Sequence, residues 1–141
     1  NGYYGNMLSK GDYNGCVGLF RSTISDNKVF AFVRSDYLLK SCSSEIVRDK
    51  WTHISMTMDI TYGGTLSLYI DGDIKSSVAT GFTYSLYDNM DYVLAGRSAV
   101  SGSGGNTMSG TFSSITLWKK SLSATEIKKT YEITKTRFGN I

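Results

Sequence analysis

Apolar and polar residues alternate with a period of two along most of the chain, the spacing of strands with one buried face. Residues 51–59 show it plainly: Ile54, Met56 and Met58 point one way, and His53, Ser55 and Thr57 point the other. Residues 65–70 repeat it, with Leu66, Leu68 and Ile70 inward and Ser67 and Tyr69 outward. Asp71-Gly72 then reads as a tight hairpin turn, after which residues 74–79 should return antiparallel. Upstream, residues 16–22 and 29–35 flank Ser25-Asp26-Asn27, a second hairpin signature. In the latter run Phe30 and Phe32 share one face while Val29, Ala31 and Val33 share the other, so a central strand covered on both sides is expected. Further strands are expected at 3–8, which is short, at 38–46, which is weaker, and at 92–97 and 111–118. Residues 11–15, Gly-Asp-Tyr-Asn-Gly, are turn chemistry, and residues 98–110, rich in Gly and Ser, read as a long exposed loop.

The period changes near the end of the chain. Ser123-Ala124-Thr125-Glu126 is a capping box, in which the Ser hydroxyl accepts from the amide three residues on and the Glu reaches back. Ile127, Thr130, Tyr131 and Thr134 follow at helical spacing, and Gly139 is a stop signal. The pattern predicts one domain over residues 1–141, an all-β antiparallel sandwich with a short C-terminal helix over 123–138 packed on it.

Composition narrows the picture. With 141 residues, 40% of them hydrophobic, the chain can bury a real core and is not disordered. Its longest apolar run, 29–33, has five residues, so no membrane insertion is expected. The chain opens on Asn1 without a basic-then-apolar leader, and is expected to be a processed, truncated or excised piece. The 20 Ser and 14 Thr suit hydroxyl-rich outer strand faces. Six basic residues from Lys119 onward against Glu126 and Glu132 give that segment +4, while the rest sums to −1. This is the charge of one solvated helix face rather than of a nucleic-acid-binding stripe, so no nucleic acid is expected as a partner. Cys16 and Cys42, with one His and no CxxC, exclude an ordinary zinc site. They fit either a single disulfide or two buried free thiols. No Asn-x-Ser/Thr sequon is present.

Two stretches resemble a known family. One is Trp51-Thr-His53-Ile54-Ser-Met56-Thr-Met58-Asp59 with Gly64-Thr65-Leu66-Ser-Leu68-Tyr69-Ile70-Asp71-Gly72. The other is Gly110-Thr-Phe112-Ser-Ser-Ile115-Thr-Leu117-Trp118 with Leu122-Ser123-Ala-Thr-Glu126-Ile127. With Tyr92-Val-Leu-Ala-Gly96-Arg97-Ser98 between them, they are similar to the concanavalin A-like jelly-roll modules of laminin-G-like type, in the right order over most of residues 16–131. The resemblance implies a two-sheet jelly roll on which lectins, adhesion modules, sialidase side domains and virion proteins are all built. Residues 128–139 also resemble tails that close such modules in structural proteins of large tailed phages. Two departures stand out. Ser113-Ser114 replaces a frequent Asp-Glu pair, and the one or two strands that usually precede the segment matching 3–8 have no counterpart. The sandwich is therefore expected to lack part of one sheet, or to accept a strand from another segment or chain.

The chemistry expected on such a module is recognition. Trp51, His53, Trp118, Ser123 and Glu126 are assigned structural roles, because a lone His without a nucleophile motif makes no catalytic constellation. Glycoside hydrolysis needs two carboxylates flanking one bond, and no Glu-x-Asp-x-Glu-like group is present, so the module is expected not to be an enzyme. Sugar rings stack on aromatic faces while Asn and Arg supply hydrogen bonds, which singles out Tyr62, Tyr84, Tyr87, Tyr92, Arg97 and Asn106 as ligand-binding candidates. Asp88, Asn89 and Asp91 are the candidate ligands if calcium is bound. Asp71 and Asp73 form a second acidic pair whose ordinary reading is the hairpin turn itself. The expected partners are a glycan or cell-surface ligand and protein neighbours, in an extracellular or virion-surface assembly. The rival expectation is a purely structural or decoration subunit that makes protein–protein contacts, strand addition included, and binds no sugar.

Overall fold

A computed structural model of the chain describes residues 5–12, 15–21, 27–35, 38–59, 64–81, 92–94 and 110–138. Among these residues eight strands precede one helix: β1 (Gly5–Asp12), β2 (Gly15–Arg21), β3 (Lys28–Ser35), β4 (Leu38–Glu45), β5 (Ile54–Met58), β6 (Thr65–Ile70), β7 (Asp73–Ala79), β8 (Tyr92–Leu94) and α1 (Ala124–Lys135). A short 3₁₀ turn, Thr136–Phe138, follows α1. The strands form two antiparallel sheets, a five-stranded one in the order β4-β3-β2-β1-β8 and a three-stranded one in the order β5-β6-β7. The mainly-β, two-sheet reading with a C-terminal helix is therefore what the chain adopts.

The sheets meet through the faces that the alternation marks. Val29, Ala31 and Val33 of β3 and Leu66 and Leu68 of β6 have no exposed surface, and Cys42 and Ile70 close the same core. Each of the Val, Leu and Ile side chains removed from water contributes about 1.5–3 kcal/mol. β3 is central, between β2 and β4. Its outer face is covered only in part, because Phe30 and Phe32 are half-buried. Phe32 nonetheless fixes one residue on the neighbouring strand: a Cβ at Gly18 would lie 2.9 Å from its ring and 2.7 Å from the Leu8 carbonyl oxygen.

Four expectations change. β1 runs on to Asp12, which pairs with Gly15, so part of the turn segment 11–15 belongs to the ladder. The outward face of β6 is buried as well: Tyr69 packs with Leu122 and Ile127 in a small second core beneath α1, and Ser67 Oγ meets Ser77 Oγ at 3.0 Å.

The strand expected at 111–118 is not formed; residues 110–118 are irregular and exposed. A strand exists only with a ladder partner, and none of the strands described pairs with this segment. A Cys16–Cys42 disulfide is also corrected, since Cys42 is a free, buried thiol. Cys16 lies opposite Arg34 and Cys42 opposite Ala31, on strands that flank β3 from opposite sides. Two strand spacings, about 10 Å, exceed the reach of a disulfide.

Candidate functional site

Of the ligand-binding candidates, Tyr62, Tyr84, Tyr87, Arg97 and Asn106 lie outside the described residues, as do the calcium candidates Asp88, Asn89 and Asp91. Tyr92 opens β8, where its backbone pairs with Lys10 at an edge of the five-stranded sheet. The best-defined polar cluster is a different one, where α1 crosses the turn between β6 and β7.

Sequence dictates that turn. Asp71 and Gly72 both have positive φ, 53° and 79°, the backbone of the Asp-Gly hairpin read from the sequence. Asp71 fastens the start of β5: its Oδ1 accepts the His53 amide at 3.0 Å, and its own amide donates to the His53 carbonyl at 2.9 Å. Asp73 accepts from Lys128 Nζ at 2.7 Å. Lys128 thereby holds the Asp73 carboxyl below the usual carboxylate range. Both members of the acidic pair are thus used in joining elements.

α1 supplies the other half. Ser123 Oγ accepts the Glu126 amide at 3.3 Å, and Glu126 Oε2 accepts the Ser123 amide at 2.8 Å, completing the capping box. Lys120 adds a 2.6 Å bridge to Glu126. Lys120 first, then the Ser123 amide and hydroxyl, hold the Glu126 carboxyl down to about 2. One turn further on, Tyr131 lies over His53, ring centroids 5.7 Å apart, with Lys128 Nζ and Lys135 Nζ 5.3 and 5.6 Å from its ring centre. Glu132 pairs with Lys135.

His53 has Ser55 Oγ 3.5 Å from Nε2, while its Nδ1 is buried without a hydrogen-bond partner. A nucleophile–base relay needs a third group that orients Nδ1. Asp71 instead binds the backbone amide, so the pair lacks that member. Burial lowers the His53 pKa, against the opposing charge of Asp71. Among the described residues no three His, Cys, Asp or Glu side chains group as metal ligands.

Of the residues assigned structural roles, His53, Ser123 and Glu126 sit in these contacts. Trp51 and Trp118 are 41% and 56% exposed, so neither is a core residue. Trp118 belongs to an apolar stretch open to solvent, with Phe112, Ile115 and Leu117. The Tyr131–His53 contact was missed in the sequence because it joins residues far apart in the chain. Helical spacing marks Tyr131 only as a residue to be buried.

Comparison with known proteins is decisive for the family. The family model described as the concanavalin A-like lectin/glucanases superfamily, of laminin-G type, matches residues 8–128. The chain belongs to this superfamily. No curated protein matches the chain. Among solved structures, an S-layer domain-containing protein from Clostridium thermocellum is similar, at 21% identity and a TM-score of 0.46. That likeness covers 84% of this chain, which spans 57% of the other. No helix among the described residues is long and apolar enough to cross a membrane.

Proposed function

We propose that this superfamily member is a non-catalytic recognition module that binds glycans or cell-surface ligands within a larger extracellular or virion assembly. The observation that carries this reading is the family match across residues 8–128, since the superfamily includes lectins. The non-catalytic part rests on the carboxylates: Asp71, Asp73 and Glu126 are each engaged with amides or lysines rather than paired across a cleft. Tyr62, Tyr84, Tyr87 and Tyr92 supply the stacking surface in this reading, with Arg97 and Asn106 as hydrogen-bonding partners. A glycan array tests it with the wild-type chain and a Tyr84→Ala/Tyr87→Ala variant of matched circular dichroism. The expected result is binding to at least one saccharide class that the variant loses by about tenfold or more, the scale of lost stacking. Equal binding by both proteins overturns the assigned residues, and no binding by either overturns glycan recognition.

A second reading is favoured by one observation. The stretch with Phe112, Ile115, Leu117 and Trp118 is exposed and pairs with none of the described strands, and among these β5 pairs with β6 alone. A structural subunit that completes this sheet by strand addition would use both features. Self-association that buries residues 111–118, without any glycan binding, is the outcome that selects this reading.

A further inference from the structure

We propose that His53 is an acid-sensitive latch that fastens α1, and with it the C-terminal segment, to the three-stranded sheet. The geometry rests on the placement of one imidazole. His53 stands at the entry to β5, half-buried, with the Tyr131 ring of α1 against it. Its Nδ1 is enclosed and has no acceptor, while Ser55 Oγ is near Nε2. A neutral ring with its hydrogen on Nε2 fits this surrounding, because the enclosed Nδ1 then carries only a lone pair. Protonation would place an N–H on Nδ1 with nothing to receive it, in a site that has lost much of its water.

The charges around the ring do not reverse this. From its own strand, Ser55 is uncharged. From the β6–β7 turn, the Asp71 carboxylate favours a cation, but its Oδ1 is committed to the His53 amide. Asp73 is neutralised by Lys128. From α1, the Tyr131 ring already carries two ammonium groups, Lys128 and Lys135, and Glu132 is engaged by Lys135. Burial outweighs Asp71, and the pKa of the docked ring is lowered.

Linkage then gives a direction. The pKa of the docked ring lies below the ordinary 6.5, to which the released ring returns. Docking is therefore at full strength above pH 6.5 and weakens as pH falls below it. A docked ring that stayed neutral down to pH 5 would make release about 30-fold easier there than at pH 7.5, which is the ceiling of the effect. The capping box does not titrate in this interval: Glu126 goes from 4.5 in the open chain to about 2 in the helix, so its contribution is lost below pH 4.5. What the latch covers is the second core, Tyr69, Leu122 and Ile127, each at most 7% exposed. Release would expose that apolar surface on the outer face of β6 while leaving the core between the sheets intact.

Hydrogen exchange of the intact chain tests the proposal at pH 7.5 and pH 5.0, with rates corrected for intrinsic exchange. The expected result is a loss of α1 protection at pH 5.0, up to about 30-fold, with β6 amides unchanged, and no such loss in His53→Phe. Equal α1 protection at both pH values overturns it, as does an equal loss in His53→Phe, or a parallel loss in β6. A readout that needs no variant is the imidazole proton signal, unambiguous because the chain has a single His. A midpoint below 6.5 that moves together with Tyr131 ring signals is expected, and a midpoint at or above 6.5 overturns the latch.

Discussion

At Gly72 the backbone has φ +79°, and a Cβ added there would lie 2.9 Å from Lys128 Cδ and 3.0 Å from Tyr131 Cβ. The residue meets two demands at once: a left-handed turn, and close approach of α1 over it. Gly72→Ala should therefore destabilise the chain by about 1–2 kcal/mol, measured by urea unfolding, with the helical signal lost before the sheet signal. Coincident transitions at wild-type stability would contradict the packing of α1 on this turn. Cys42 makes a second prediction at this scale. The residue is 6% exposed, and its thiol lies 3.9 Å from the Leu66 carbonyl, with its pKa raised by burial against a weaker hydrogen bond with Ser76. In a Cys16→Ser background, a thiol reagent should react with Cys42 slowly in the native chain and rapidly in denaturant. Fast native labelling would mean that the core between the sheets opens readily. Residue identity alone left both thiol states open; only strand order, with β3 between β2 and β4, separates the two cysteines.

At the scale of elements, the helix is the most legible feature. Ser123 and Glu126 form both hydrogen bonds that their spacing implies, because a capping box is local and needs no tertiary partner. Ser123→Ala should cost about 1 kcal/mol, read as a lower melting temperature of the helical signal; an unchanged melt would show that α1 is held by its docking alone. The Asp71-Gly72 hairpin was legible for the same reason, being fixed by φ preference over two residues. Residues 111–118 resemble the last strand of the family, yet form no strand, since pairing depends on another segment. Their amides are expected to exchange about a hundredfold faster than those of β6. Protection there would show that a partner strand has been found. Ser67 and Tyr69 illustrate the opposite error. Their outward face in β6 is correct, but the face is roofed by Leu122 and Ile127, which arrive more than fifty residues later.

At the scale of the whole molecule, five of the described strands face three, and the helix covers the outer side of the smaller sheet. Fold class was readable because period, turns and family motifs agree, and the superfamily model spans 8–128. The proposed recognition site was readable only as residue types. Tyr62, Tyr84 and Tyr87 can be named as loop aromatics from sequence, but convergence on one ligand is a property of loop geometry that alternation does not encode. The central claim, that the module binds saccharide without altering it, is tested most directly by calorimetric titration with the best oligosaccharide from the array, followed by product analysis after prolonged incubation. The account predicts saturable binding, one site per chain, with the oligosaccharide recovered uncleaved. Cleaved product, or no heat at millimolar saccharide, would contradict it.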